Sequence, residues 1–403
     1  MAKSVYFGAG GVKKIKSIYF GAGGVKKVKK GYIGAGGVKQ FFGGPEGASL
    51  TKMTSLSLTT ARCSPAAATA GDTYALFAGG GIASLSNTTS VEAFNKSLTK
   101  TTAGELSSAV RGMAGASAGD YAIFFGGVTS DKYFYETGYN KYLHLYNSSL
   151  TKTATSKTGY PGMASASFND CALFFGGFGV DITDDETYDA SSVSALIYVN
   201  SSGTLTSINV SNANVCTVYR AGAASSTYAM FAGGSNLSYS GTNSTITDQV
   251  TYFDKNFTYA KTTMSEKRAW ASGGCVNENI IFAGGYNNGS SSSASGTTSV
   301  DCFNSSLTRS SLTALPGTYT DYDKAVSVYG HHIINVGNYV VSYNYNLTQT
   351  VHSFTHHCGV EGLQPTTTLG NYALIHTGGI DKYIKYGGHD YSFTTEIGVF
   401  LSE

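Results

Sequence analysis

Four arginines, Arg62, Arg111, Arg220 and Arg268, each stand just ahead of a stretch of small residues. Guanidinium groups converging on one opening can hold a carboxylate or an acidic sugar by bidentate hydrogen bonds. The same groups can instead brace neighbouring chain by bonding loop carbonyls or a carboxylate, and the sequence leaves both roles open. A second set of candidates is aromatic. Tyr133, Tyr135, Tyr139 and Tyr142 fall in SDKYFYETGYNKY, Tyr188 follows Asp184 and Asp185 in DITDDETYD, Tyr239 lies in SNLSYSGTNST, and Tyr286 opens YNNGSSSSASGTTS. Tyrosine offers a broad contact surface and a hydroxyl at low entropic cost, and Ser, Asn and Gly adapt around it, which is the composition of binding surfaces.

Catalytic and metal-binding patterns are weaker. The acids Asp181, Asp184, Asp185, Glu186 and Asp189 match no EF-hand spacing. His352, His356 and His357 have no HExxH or CxxC beside them, and a strand or loop would not turn all three to one side. The six cysteines are dispersed and several replace apolar or small residues, which reads as buried free thiols in a reducing cytoplasm. No sialidase-type SxDxGxxW motif occurs, and no signal supports copper chemistry. The expectation is a protein without catalytic residues, cofactor or metal.

The elements that must position these residues recur. The runs YALFAGG, YAIFFGG, CALFFGG, YAMFAGG, NIIFAGG, HIINVGN and YALIHTGG begin their glycine pairs at intervals of 47, 50, 57, 51, 53 and 41 residues. Each is too short for a buried helix and suits a strand covered on both faces. Further along come VEAFNKSLT, LHLYNSSLT, VTYFDKNFT, VDCFNSSLT and VVSYNYNLT, with a degenerate LIYVNSSGTLT. These predict hairpins with an Asn or Asp turn and an outer strand starting at Leu-Thr or Phe-Thr. With a small-residue strand before each glycine-pair strand, there are four strands per repeat and seven repeats, an all-β, seven-bladed β-propeller. Composition agrees, with 51 Gly, 29 Tyr, 21 Phe and 5 Pro in 403 residues and no apolar run long enough to span a membrane. The connections after the glycine pairs read as long in the first five blades and nearly absent in the last two. All should emerge on the face that carries the arginines, where a rigid scaffold presents its recognition loops.

Residues 47–403 resemble the Kelch-type propellers. The family pattern is an Arg, a small-residue strand, an apolar strand ending in Gly-Gly, and a strand with a spaced aromatic before Asn or Asp. It is met by the four arginines, the glycine pairs and Phe94, Tyr146, Phe253, Phe303 and Tyr343. The Trp usual on the outermost strand is missing, and blades six and seven lack the Arg.

Residues 1–46 are a different object. Tyr6, Tyr19 and Tyr32 open three near-identical units, VYFGAGGVKKIKS, IYFGAGGVKKVKK and YIGAGGVKQFF, predicted as a small β-strand meander. Nine lysines and no acid occupy the first forty residues, which leaves 18 basic against 25 acidic residues, a formal −7, for the remainder. So few residues bury no core alone, and the segment is expected to dock through Lys13, Lys14, Lys26, Lys27, Lys29 and Lys30 rather than to bind nucleic acid, since it holds no Arg and no recognition motif. The repeat is similar to those of structural proteins from phages and prophages of Gram-positive bacteria. That resemblance implies a multi-copy, non-enzymatic virion protein, at the tail tip or fibre, made without a signal peptide. Its N-terminal repeat would dock on other tail proteins and its propeller loops would bind a host protein or glycan. The alternatives are a carbohydrate-active enzyme on the same face and a cytoplasmic protein-binding scaffold. Limited proteolysis of the full chain is expected to leave a resistant propeller beginning near Pro45, read by mass spectrometry; a resistant fragment retaining the lysine repeat would contradict this.

Overall fold

In the computed structural model, described residues are 19–21, 25–27, 31–34, 38–42, 47–82, 86–129, 139–182, 188–192, 195–210, 218–235, 246–287, 296–317, 324–336, 339–352, 366–376, 381–384, 388–391 and 394–402. The chain divides into two compact units, Met1–Gly47 and Ala48–Glu403. In the first, Tyr19–Gly21 pairs with Val25–Lys27, and Gly31–Gly34 with Val38–Phe42, as two separate antiparallel hairpins.

The second unit is a seven-bladed propeller of antiparallel sheets. The first six blades each take four strands in chain order. Blade one, for example, runs Ala66–Ala70, Tyr74–Ala78, Val91–Asn95 and Lys100–Thr102 from the central channel outward. The seventh begins with Thr366–Leu369 and Tyr372–His376 and continues with Thr394–Ser402. Its outer edge is supplied from the other end of the propeller, by Leu50–Lys52 and Leu56–Arg62. Closing the ring with strands from its far end covers the otherwise open edge of Thr394–Ser402 and ties the last blade to the first.

The core lies between blades. Because successive strand residues face opposite sides of a sheet, Leu76 and Ala78 pack toward blade two, whereas Ala75 and Phe77 pack toward blade seven. Seven apolar clusters result among the described residues, one at each junction. The glycine pairs serve these junctions. A Cβ on Gly79 would stand 2.4 Å from Val110 O, in the segment leading to blade two, and Gly80 N–H donates to that same carbonyl at 2.8 Å.

Inner strands approach even more closely. A Cβ on Gly115 would lie 2.2 Å from Ala67 O, and one on Gly222 2.2 Å from Ser165 O, so small residues are required there. Hydroxyls bridge the remaining distance. Thr69 N–H donates to Ser117 Oγ (2.9 Å), Ser117 N–H to Ser167 Oγ (2.9 Å), Cys275 N–H to Ser327 Oγ (2.7 Å), and Thr366 Oγ1 to Ala325 O (2.8 Å).

The Asn-turn hairpins differ from expectation in one respect. The Leu of Asn-x-x-Leu-Thr does not start the outer strand but sits in the turn with left-handed backbone, as at Leu98, Leu150, Leu307 and Leu347, with Phe257 alike. Asn147 Oδ1 accepts from Ser149 and Thr151 N–H, and Asp254, Asn304 and Asn344 do the same in their blades. The strained residue is held because its side chain wedges between blades: Leu150 packs on the core shared with blade one, and Phe257 stacks on Tyr198 of blade three at 4.3 Å. The post-glycine segment of blade seven is also longer than expected, since it carries the hairpin Asp381–Ile384 and Gly388–Tyr391 before the third strand.

Deleting residues 47–58 removes Leu50–Lys52 and the buried Leu58, and is expected to lower the melting temperature of the whole propeller by roughly 5 °C or more. Calorimetry checks this, and an unchanged transition would show that the ring does not depend on the borrowed strands.

Candidate functional site

One face of the propeller is assembled from two kinds of segment. In blades one, two, four and five the chain entering the inner strand pairs, through an isolated bridge, with the start of the same blade's post-glycine loop: Cys63 with Gly81, Arg111 with Val128, Val218 with Ser235, and Ala269 with Tyr286. Three of these loops return to a second bridge, at Tyr139, Ile246 and Gly296. The residue after each entering bridge is left-handed, with φ of 46° at Ser64, 65° at Gly112, 58° at Tyr219 and 57° at Trp270. Backbone hydrogen bonds join these residues from blade to blade, Gly112 N–H to Ser64 O at 3.1 Å and Trp270 N–H to Tyr219 O at 3.0 Å.

Glycine fills such a position without cost, and serine is small. Tyrosine and tryptophan are bulky there, and backbone strain of this kind concentrates at functional sites. The two rings stack, with centroids 4.5 Å apart and planes at 23°, and Tyr286 meets the indole edge-on at 5.2 Å and 70°. All three are half-buried. Tyr219 and Trp270 also line the central channel, a cavity of about 630 Å³ walled by the inner strands. A second aromatic pair, Tyr139 and Tyr160, stands on the same face with centroids 5.8 Å apart.

The arginines are not one equivalent set. The bridges align Cys63, Arg111, Val218 and Ala269, so Arg62 and Arg268 share a position, Arg111 comes one residue later and Arg220 three later. Arg62 is fully buried, paired with Glu92 at 2.6 Å and donating to Gly79 O and Ser90 O. Arg268 repeats this arrangement with Asp301 and Ser299 O. Each carboxylate also accepts an N–H and a hydroxyl from three residues before its arginine, Thr59 for Glu92 and Ser265 for Asp301. Each further meets a basic residue of the outer strand, Lys100 at 3.5 Å or Arg309 at 2.9 Å. Arg220 reaches Phe231 O and Thr251 Oγ1 and lies 5.3 Å over the Phe175 ring. These hydrogen bonds brace blades, and the anion-binding alternative for Arg62 and Arg268 fails because both guanidiniums are spent in closed networks. Arg111 is buried on the same rim, and Arg220 lines the channel.

In blade two the charged pair is replaced as a unit. Val110 stands where Arg62 would, and His144, opposite Phe124 as Glu92 is opposite Phe77, accepts Ser107 N–H at 2.9 Å. Burial and the nearby Lys152 charge bring the His144 pKa down to about 4.

Of the loop tyrosines, Tyr133, Tyr135 and Tyr239, together with Asp184 and Asp185, lie outside the described residues. Tyr188 starts the strand Tyr188–Ser192, which pairs with Phe178–Ile182. Tyr142 is a correction: it opens the third strand of blade two, exposed on the blade rather than projecting from the loop. Tyr139 and Tyr286 fall on the face formed by the entering segments and post-glycine loops. Lys26 and Lys27 end the strand Val25–Lys27, whereas Lys13, Lys14, Lys29 and Lys30 lie outside the described residues. Trp270 and Tyr219 were missed by sequence reasoning, though an aromatic in the slot filled by Gly112 in blade two was a visible signal. Cys63, Cys171 and Cys302 are buried free thiols and Cys275 is half-buried. Burial raises the Cys275 and Cys302 pKa values to about 12 and about 11, so both thiols stay protonated at neutral pH. His352 Nε2 bonds Ser342 Oγ at 2.8 Å, and His356 and His357 lie outside the described residues.

No family model matches the chain, and no curated protein sequence matches it. Among solved structures it is similar to one titled "Structure of YjhT", at 14% identity and a TM-score of 0.51, over 74% of this chain and 99% of that one. That likeness is one of fold.

The buried histidines give the propeller an acid limit. Desolvation lowers His332 and His376 to about 3, alongside His144 at about 4, so the folded state keeps all three neutral while the unfolded chain protonates near pH 6.5. The unfolded state therefore binds more protons, and stability present above pH 6.5 is lost as pH falls toward about 4 for His144 and about 3 for His332 and His376. By pH 5 the loss is about 2 kcal/mol per histidine. Denaturant melts at pH 7.5 and 5 check this, and His332→Gln should flatten the dependence.

Proposed function

We infer that this is a non-enzymatic virion protein of a phage or prophage, at the tail tip or fibre, whose Kelch-type propeller recognises a host surface ligand and whose basic N-terminal repeat docks to other virion proteins. The observation that carries the reading is the half-buried aromatic cluster at the mouth of the central channel, in which Tyr219 and Trp270 are held in left-handed backbone and Tyr286 packs on the indole. Rigid aromatics on a loop face are the anchors of recognition surfaces. The docking half rests on nine lysines in the first forty residues, eight of them in the three repeats, and on the resemblance of those repeats to phage structural proteins.

The two halves are separable by mutation. Tyr286→Ser together with Tyr139→Ser is expected to reduce adsorption of assembled particles to host cells on the order of 10-fold or more, with incorporation unchanged. Changing Lys13, Lys14, Lys26 and Lys27 to Glu should spare binding of the purified protein to cells and impair its incorporation, measured by mass spectrometry of purified virions. The reverse pattern would assign the ends oppositely. Release of sugar from cell-wall polysaccharide by the purified protein would move it among carbohydrate-active enzymes.

A further inference from the structure

The chemistry of the channel mouth narrows the ligand, given that the loop face is the binding face. Tyr219 and Trp270 give the opening an apolar, aromatic side, and Tyr286 extends it toward the blade-five loop. Below them the wall is rich in hydroxyls. Thr69, Ser117, Ser165, Ser167 and Ser327 line the cavity; Ser117 and Ser167 Oγ each accept one N–H, Ser165 Oγ donates to Gly115 O, Ser327 Oγ accepts Cys275 N–H and meets His332 Nδ1, and the Thr69 hydroxyl donates to Thr368 O and meets Thr367 Oγ1, which leaves part of each hydroxyl's capacity of one proton and two lone pairs.

Charge is scarce. Among the described residues the lining holds two charged side chains, Arg220 and Asp72. Arg220 turns into the wall, toward Phe231 O, Thr251 Oγ1 and the Phe175 ring. Asp72 accepts Gly370 N–H at 2.9 Å and pairs with Lys96. A site with an aromatic side, a hydroxyl-lined wall and its charges already engaged complements a molecule that has an apolar C–H face, several hydroxyls and no charge. The cavity volume of about 630 Å³ lies in the range of small-molecule sites. The geometry points to a short neutral oligosaccharide of a surface glycan, lying along the channel with the C–H face of one pyranose on the Tyr219–Trp270 pair and its neighbouring sugar directed toward the hydroxyl ring, which lies five residues, roughly 16 Å of strand, further in.

The molecule supplies its own reporter, since Trp270 is the single tryptophan of the chain. The full-length protein is titrated with the methyl glycosides of glucose, galactose, rhamnose and N-acetylglucosamine, and with glucuronic acid, following tryptophan emission and saturation-transfer NMR of the sugar. At least one neutral glycoside is expected to saturate in the millimolar range, with glucuronic acid at least tenfold weaker. Tyr219→Asn, whose side chain tolerates left-handed backbone, should weaken that sugar at least tenfold while the melting temperature stays within a few degrees. A preference for glucuronic acid, or a neutral sugar unaffected by Tyr219→Asn, overturns the assignment. If no sugar gives a signal by either method while particles still adsorb, and adsorption is lost on protease treatment of the cells, the ligand is a protein: the sugar assignment fails and the loop-face reading survives. If adsorption survives both Tyr219→Asn and the loss of Tyr286 and Tyr139, the loop-face reading itself fails.

Discussion

The propeller depends on one junction, where the chain's late strand Thr394–Ser402 meets Leu56–Arg62 from the beginning of the same unit. Six blades are local hairpins and could form in chain order, but the seventh has no outer edge until this pairing closes the circle. The junction is accordingly held from both sides. Thr394–Ser402 provides the backbone ladder, and blade one grips the other side through Glu92, which accepts Thr59 N–H and hydroxyl and pairs with Arg62. Lys100 adds bonds to Ser57 O and Thr59 Oγ1. A buried ion pair is a poor source of net stability against an apolar core of equal volume, because desolvation offsets the attraction, but losing one partner is costly. Its value here is registry: the pair is satisfied in one alignment of the closing strand.

The same logic explains why the network is present or absent as a block. Blade five reproduces it with Arg268, Asp301, Ser265 and Arg309, and it ties the segment leaving blade four to the third strand of blade five. Blade two has neither the arginine nor the carboxylate, but keeps the backbone bond by placing neutral His144 opposite Ser107 N–H. Retaining either charge alone in this buried slot would leave it uncompensated. The substitution therefore runs through both positions together, and His144, held neutral by desolvation, is the acceptor that remains.

Much of this architecture was legible in the sequence because the repeat is imposed by local chemistry. The glycine pairs are demanded by a carbonyl of the next segment passing where a Cβ would be, and the Asn turns by an Oδ1 that collects two N–H groups. These are short-range requirements with fixed residue types. The borrowed strands were legible too, from a Ser-Leu-Thr start at Ser49 with no hairpin around it. What escaped depends on register. The four arginines look equivalent along the chain, and only the bridges from Cys63, Arg111, Val218 and Ala269 separate them into two buried braces and two others. Leu98 and its counterparts read as strand starts because Leu-Thr is apolar then β-branched. The neighbouring blade that the side chain wedges against lies about fifty residues away.

The aromatic mouth is the feature that stability does not explain. At the slot after each entering bridge, glycine at 112 or a small serine at 64 satisfies the backbone at little cost. Tyr219 and Trp270 adopt the same left-handed conformation at about 1–2 kcal/mol each. Their mutual stacking returns about 0.5–1.5 kcal/mol beyond area burial, less than the two penalties together. Both rings are half-buried and Trp270 also meets Tyr286, contacts that add to this return. A stacked aromatic pair in left-handed backbone, kept at the opening of a rigid channel and not at the four-strand core, is the arrangement on which the proposed binding function rests.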